Sequence, residues 1–220
     1  MHITIINASP HEISQSNTVK MIEHFQKGVL ATGASIEIYH LCKKSQYEQA
    51  KEVFIKNDNI VFALPVYAGI IPSFSMEFLQ NLYIYTQQND KNTLNKTISF
   101  VLQGGFPEAC QRGCCEQYLK SIAMLLGGTF GGILSHCINA HFVEKKDAKD
   151  TFKNYEEMGV NFIKNQGNFL FKEAIEFTGP EHFTEDQAKV FNRMFNVYYK
   201  YVSSLKGCDI DLSHKLYDYI

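Results

Sequence analysis

Five stretches of apolar residues along the chain have the length and character of β-strands. Residues 2–6, 60–64 and 97–102 are nearly continuous apolar runs, which is typical of strands buried on both faces. The stretch at 36–41 alternates with Ser35, Glu37 and His40, which predicts an edge strand with one wetter face. A fifth strand is predicted around residues 133–138.

Amphipathic segments between these strands predict the connecting helices. Val19, Ile22 and Val29 recur at helical spacing, and this first helix should end near Gly33. Further helices are predicted at 47–56, after Pro72, at 108–126 and at 152–165. Alternating strands and helices imply a parallel sheet with helices on both faces, so we predict an α/β, flavodoxin-like three-layer sandwich with strand order 2-1-3-4-5.

Three unusual loops follow the first, third and fourth predicted strands. In the order 2-1-3-4-5 these strands are neighbours, so the loops should line one crevice at the carboxyl ends of the strands. The first loop leads through Ser16, Asn17 and Thr18 into a helix N-terminus, where free backbone N–H groups and the helix dipole favour an anion.

The C-terminal part of the chain lies outside the five strand–helix units. We predict one domain over residues 1–166 and a helical extension over 167–220. The extension should contain a short helix at 169–177 and a long helix at 185–205, with Thr184 and Gln187 as a capping box. We expect this extension to pack on the domain or to form a dimer interface.

Composition narrows the classes of function. The 220 residues are 45% hydrophobic and 20% charged, as in ordinary soluble proteins, and the net charge of −2 gives no electrostatic reason to expect nucleic acid or a membrane surface as partner. The N-terminus reads as a strand rather than a signal peptide, and the six cysteines are scattered, so we expect a cytoplasmic protein with reduced thiols.

Three short motifs resemble the NAD(P)H-dependent FMN reductase and quinone reductase families. Asn7-Ala8-Ser9-Pro10-His11 through Ser16-Asn17-Thr18 is similar to their opening strand, phosphate loop and helix start. Pro65-Val66-Tyr67-Ala68-Gly69, with Pro72 after it, resembles their second loop, and Gln103-Gly104-Gly105 their third. Ala8 and His11 depart from the glycine and arginine that are usual in these families.

The resemblance implies FMN as cofactor and NAD(P)H as electron donor. Residues of the first loop would hold the flavin phosphate, and the second and third loops would face the isoalloxazine ring, with Tyr67 flanking it. The implied cofactor-binding residues are Ser9, His11, Ser16, Asn17, Thr18, Pro65, Val66, Tyr67, Ala68, Gly69, Gln103, Gly104 and Gly105. No side chain is assigned as a catalytic acid or base, because the flavin carries the chemistry.

Other candidate sites have ordinary structural interpretations. Cys110, Cys114 and Cys115 lack a nearby fourth ligand for an iron–sulfur cluster, so we expect buried reduced thiols. His136 and Cys137 should point to opposite faces of a strand, which argues against a shared metal. Arg112 is either a partner for a nicotinamide phosphate or, by preference, an exposed helix residue.

The sequence thus favours an FMN-dependent NAD(P)H oxidoreductase. Hydride would pass from nicotinamide to flavin N5, and electrons would then go to a quinone, a nitro or azo compound, or free flavin. Two alternatives stay open: a flavodoxin-like electron-transfer protein, and a protein of the same fold that has lost its cofactor. We expect a homodimer.

Overall fold

The computed structural model describes most of the chain. The described residues are 1–11, 13, 16–67, 69–89, 96–104, 108–137, 148–177 and 180–205. The chain forms two compact units, Met1–Pro180 and Glu181–Ile220. The first unit therefore continues past residue 166 and includes the segment before Pro180. None of the helices in the described ranges is both long and apolar enough to span a membrane.

The first unit is built on a five-stranded parallel sheet. Its strands run in the spatial order β2-β1-β3-β4-β5, which confirms the predicted flavodoxin-like arrangement. The strands are β1 (His2–Asn7), β2 (Ser35–His40), β3 (Asn59–Val66), β4 (Thr97–Gly104) and β5 (Thr129–Cys137). In register, Asn7 of β1 lies opposite both His40 and Ala63, and Val66 of β3 lies opposite Gly104. The strand ends that carry the three motifs are therefore adjacent.

Helices connect the strands and cover both faces of the sheet. The predicted helix at 108–126 is divided into a short 3₁₀ helix (Ala109–Arg112) and α4, a common arrangement at a helix N-terminus. The α-helices of the first unit are α1 (Asn17–Ala31), α2 (Lys44–Lys56), α3 (Ser73–Asn89), α4 (Gly113–Leu125), α5 (Ala148–Lys164) and α6 (Lys172–Phe177). The second unit contains α7 (Glu185–Leu205).

Two hydrophobic clusters fill the space between sheet and helices. Phe62 and Phe100 stack on one face, with ring centroids 5.7 Å apart, against side chains of α2, α3 and α4. On the other face Phe25 of α1 and Phe162 of α5 meet edge to face at 5.5 Å. Because Ile5 belongs to one cluster and Ile6 to the other, β1 is buried on both faces as predicted.

A polar cluster stabilises the edge of the sheet between β1 and β2. The carboxylate of Glu37 accepts hydrogen bonds from Thr4 (2.9 Å), Tyr39 (2.9 Å) and Asn57 (2.6 Å), and it lies 3.2 Å from His2. Burial raises the pKa of Glu37, but the hydrogen bonds from Thr4, Tyr39 and His2 outweigh burial and leave the pKa below its ordinary value. The cluster therefore stabilises the fold in its ionised form.

Replacing Glu37 by glutamine should cost about 1 kcal/mol at pH 7, a modest value because the side chain is 31% exposed. A lowered folded-state pKa stabilises the protein above the unfolded carboxyl's pKa, and that stability is lost as pH falls through the folded value. Urea unfolding should therefore show a smaller difference between the two proteins at pH 3 than at pH 7. Glu52→Gln, in an exposed ion pair with Lys56, serves as control. Equal losses at both pH values would contradict this interpretation.

The second unit contains the predicted capping box at the start of α7. The backbone N–H of Thr184 donates to Gln187 Oε1 (2.9 Å), and the N–H of Gln187 donates to Thr184 Oγ1 (3.3 Å). This reciprocal pair satisfies two donors at the helix start and confirms the prediction. How the extension packs, on the domain or at a dimer interface, stays a prediction.

Candidate functional site

The first motif joins the end of β1 to the N-terminus of α1. Ser16 is the N-cap of α1, and its hydroxyl oxygen accepts the N–H of Val19 at 3.4 Å. The Ser16 hydroxyl also donates to Ser9 Oγ at 3.1 Å, so residues from the two ends of the loop meet. Ser9, Ser16 and Thr18 are all buried. The structure thus gathers the predicted hydroxyl groups at one helix N-terminus.

Donors for an anion are available at this helix start. Within the described ranges, the backbone N–H groups of Asn17 and Thr18 make no hydrogen bond. These groups belong to the first turn, where the chain offers no intrahelical acceptor and where the helix dipole is positive. The first turn contains no acidic residue that would occupy the site from within the chain. The arrangement can therefore bind a phosphate group.

Asn7, the first residue of this motif, and His40 of β2 hold the loop in place, although neither is among the cofactor-binding residues predicted from the sequence. Asn7 Oδ1 accepts the N–H of Ser9 at 3.1 Å, which orients the amide so that its nitrogen faces His40 Nδ1 at 2.9 Å. The histidine nitrogen must then accept, which requires a neutral ring. Burial, together with the charge of Lys43, lowers the pKa of His40 and favours this form. Only the register of β1 with β2 brings these residues together.

The second motif ends β3 in a tight turn. Pro65 and Val66 belong to β3, and Tyr67 and Ile70 then exchange backbone hydrogen bonds at 2.8 and 3.1 Å. Gly69 has a φ of +82°, the left-handed conformation that a type II turn requires at its third position and that glycine adopts without strain. Ala68, another predicted site residue, lies outside the described residues.

His11 and Tyr67 link the first motif to the second. His11 Nε2 lies 2.9 Å from the Tyr67 hydroxyl, and the two rings meet edge to face with centroids 6.4 Å apart. Tyr67 is 45% exposed, and partial burial raises the pKa of its hydroxyl. These two side chains, 56 positions apart in sequence, place an aromatic and a polar group at the mouth of the predicted crevice.

The third motif begins within β4. Gln103 and Gly104 are the last two residues of that strand, and Gly105 lies outside the described residues. A Cβ atom on Gly104 would lie 3.5 Å from Val66 Cβ and 4.0 Å from Arg112 Cδ. Gly104 is therefore packed against the end of β3 and against the 3₁₀ helix that follows the motif.

Arg112 is buried, so the preferred expectation of an exposed helix residue is wrong. The residue is 2% exposed, its Nη1 donates to the carbonyl of Glu108 at 3.2 Å, and its Nε lies 3.7 Å from Glu116 Oε1. Arg112 lies three, seven and eleven positions before Cys115, Leu119 and Ala123, the buried residues of α4, and so continues their inward face.

The expectation of three buried thiols is also wrong for two of them. Cys115 is buried, and burial raises the pKa of its thiol to about 11, whereas Cys110 and Cys114 are exposed. Cys110 lies in the 3₁₀ helix, and α4 turns Cys115 toward the core and its neighbour Cys114 toward solvent. The side chains of His136 and Cys137 lie outside the described residues.

The residues present fit a flavin mononucleotide. Hydroxyl groups, and N–H groups with no acceptor among the described residues, suit its phosphate at the α1 N-terminus, and Gly69 and Gly104 supply backbone without a Cβ in the two loops that the sequence predicts beside the ring. Ser75 contributes from α3 by donating a hydrogen bond to the carbonyl of Ala8 at 2.7 Å, which holds the first motif against the second. The binding role of each predicted residue remains a prediction.

The fold and this site define an α/β protein of the flavodoxin-like class. Solved structures with this fold include a general stress protein 14 from Treponema denticola in complex with FMN. The two share 15% identity, the match covers 75% of this chain and 99% of that one, and the TM-score is 0.57.

Two named oxidoreductases have a similar fold. An NADH:FMN oxidoreductase, EmoB, in its apo form has 17% identity over 72% of this chain and 88% of its own, with a TM-score of 0.53. An NADPH-quinone reductase from P. pentosaceus has 17% identity over 73% of this chain and 99% of its own, also with a TM-score of 0.53. These matches confirm the resemblance seen in the sequence at the level of the fold.

Sequence comparison adds no closer relative. No protein-family model matches this chain, and no curated protein matches it at a significant level.

Proposed function

We propose that this protein is an FMN-dependent NAD(P)H oxidoreductase. One observation carries the proposal: three motifs distant in sequence meet at adjacent strand ends, with a capped helix N-terminus beside two glycine-containing loops. Bound FMN would accept a hydride from NAD(P)H at N5 and pass electrons to a quinone, a nitro or azo compound, or free flavin. The fold matches to FMN-binding and NAD(P)H-dependent proteins support the same assignment.

The residues of the chain would bind and orient the cofactor. Ser9, Ser16 and the N–H groups of Asn17 and Thr18 would hold the phosphate, which fixes the position of the attached ring. Pro65, Val66, Tyr67, Ala68 and Gly69 on one side, and Gln103, Gly104 and Gly105 on the other, would present backbone groups to the ring. Donors at these positions would stabilise negative charge on the reduced flavin.

The visible spectrum of the purified protein, with and without added FMN, tests this function. We expect a flavin spectrum and, in steady state, NAD(P)H oxidation with a quinone acceptor. An electron-transfer protein would show the spectrum with almost no turnover. A protein that has lost its cofactor would show neither a spectrum nor binding of added FMN, and that result would refute the proposal.

We further propose that the protein is a homodimer. A groove of about 490 Å³ between α3 and α4 is lined by apolar and uncharged polar residues, among them the exposed side chains of Tyr83, Ile84 and Leu125. A two-fold axis would bring this groove of one subunit against the same groove of the other. Because the residues that line it carry no charge, the two surfaces would not repel each other. Light scattering should give twice the chain mass, and Leu125→Asp should give the monomer mass. A wild-type monomer would contradict the proposal.

A further inference from the structure

Arg112 lies beside the last residue of β4 and donates a hydrogen bond to the residue before the 3₁₀ helix. Its Cδ atom lies 4.0 Å from where a Cβ on Gly104 would be, and its Nη1 donates to the Glu108 carbonyl at 3.2 Å. Gly104 and Glu108 are the described residues on either side of positions 105–107. A single buried side chain therefore joins the strand that enters the motif to the helix that leaves it.

The same 3₁₀ helix also supports the second motif. A Cβ on Gly69 would lie 3.4 Å from the carbonyl oxygen of Gln111, the residue before Arg112. Gly69 of the second motif and Gly104 of the third thus lie beside one short segment, Ala109–Arg112. A displacement of this segment would change the space available to both glycines, because no Cβ stands between their backbone and the segment.

The burial of Arg112 also places a permanent positive charge at this position. A guanidinium stays protonated in proteins, and moving it out of water is costly unless nearby groups compensate it. Glu116 Oε1, 3.7 Å from Arg112 Nε, supplies part of that compensation. A methionine would fill similar space without this cost.

We propose that Arg112 is a positioning residue for the two ring-facing loops and that its charge favours the reduced form of the bound flavin; this inference rests on the proposed function. Hydride transfer moves two electrons and one proton from NAD(P)H to FMN and releases NAD(P)⁺. The reduced ring is therefore more negative than the oxidised ring by one charge. A fixed cation beneath Gly104 stabilises that added charge, and the partly compensating carboxylate of Glu116 opposes it.

Four variants distinguish the effect of the Arg112 charge from the effect of its packing. Arg112→Met removes the cation, Arg112→Lys keeps the charge but loses the planar fork, and Glu116→Gln removes the counter-charge. Arg193→Met makes the same change at the other arginine, which is exposed on α7, and serves as control. Each protein is titrated with oxidised FMN, its thermal unfolding is recorded, and the reduction potential of its bound flavin is measured against reference dyes.

We expect opposite shifts from the two charge changes. Arg112→Met should weaken binding of reduced relative to oxidised FMN about tenfold, which lowers the two-electron potential by about 30 mV. Glu116→Gln should shift the same ratio in the opposite direction. Arg112→Lys should keep a potential close to that of the wild type while its affinity for oxidised FMN falls several-fold, and Arg193→Met should change neither quantity.

Other results would overturn the inference. Unchanged potentials in Arg112→Met and Glu116→Gln, or shifts in the same direction, would show that the charge has no such role. If Arg112→Met does not fold, Glu116→Gln and Arg112→Lys still decide the question by the same criteria. Failure of the proposed function would give a different result, because the wild-type protein itself would then bind no FMN. That result would refute both proposals.

Discussion

Replacing Gly28 by alanine is expected to destabilise the first unit by about 3 kcal/mol, the upper part of the usual range for overpacking a core. A Cβ on Gly28 would lie 1.9 Å from the carbonyl oxygen of Glu156, and a Cβ on Gly159 would lie 2.3 Å from that of Phe25. The backbones of α1 and α5 thus touch where they cross. The atoms in the way are main-chain atoms, so the helices must separate to admit a methyl group.

Separation of these helices would disturb several other contacts. Phe25 and Phe162 pack between α1 and the rest of the core, and His24 Nδ1 lies 2.7 Å from Glu156 Oε1 across the same crossing.

Urea unfolding of Gly28→Ala should show the loss of stability as a lower midpoint at unchanged slope. Gly113→Ala is the matched control, since Gly113 is helical with nothing within 4 Å of its added Cβ. The control should gain up to about 1 kcal/mol. A loss below 1 kcal/mol for Gly28→Ala would contradict the described crossing.

Ser16→Asp should weaken FMN binding at least about 100-fold while leaving the fold intact. Aspartate caps a helix as well as serine does and interacts favourably with the dipole, which offsets the cost of placing a carboxylate at this buried position. The same carboxylate would stand where the phosphate is proposed to bind. A phosphate monoester carries about 1.5 to 2 negative charges at neutral pH, and two anions at one helix N-terminus repel each other.

Riboflavin provides the decisive comparison for this variant, because it has the same ring without the phosphate. Its affinity should change by less than about threefold, since only the charge beside the phosphate site differs. Ser16→Asn is the matched variant: it caps the helix without charge and should lose less than about tenfold in FMN affinity. Fluorescence titration of both ligands measures these values. Equal losses for FMN and riboflavin would show that Ser16 does not adjoin the phosphate.

Local features of this protein could be read from its sequence because neighbouring residues create them. The apolar run of β3 and the alternation of β2 distinguish a central strand from an edge strand, and strands alternating with helices permit few sheet orders. The Thr184–Gln187 capping box closes within four residues, so its two hydrogen bonds need no distant partner. The three motifs were likewise visible, since each follows directly from a strand end.

The errors in the predicted region 108–126 concern which residues face the core. Arg112 lies three, seven and eleven positions before Cys115, Leu119 and Ala123, the buried residues of α4, so it belongs to the same inward face. Cys110 and Cys114, four positions apart, lie together on an exposed face. The sequence predicted the helix, but the usual exposure of arginine and the usual burial of cysteine indicated the wrong faces for these residues.

Contacts between segments distant in sequence could be identified only in the folded structure. Three contacts join residues that no local sequence pattern relates: His11 with Tyr67, Asn7 with His40, and Gly28 with the backbone of α5. Burial of Arg112 between Gly104 and Glu108 is of the same kind. Secondary structure and strand order follow from the propensities and periodicities of short segments, whereas these contacts arise only when strands pair in register and helices pack. For this reason the sequence predicted the three motifs of the proposed flavin site, and the packing of the fold showed which side chains lie around those motifs.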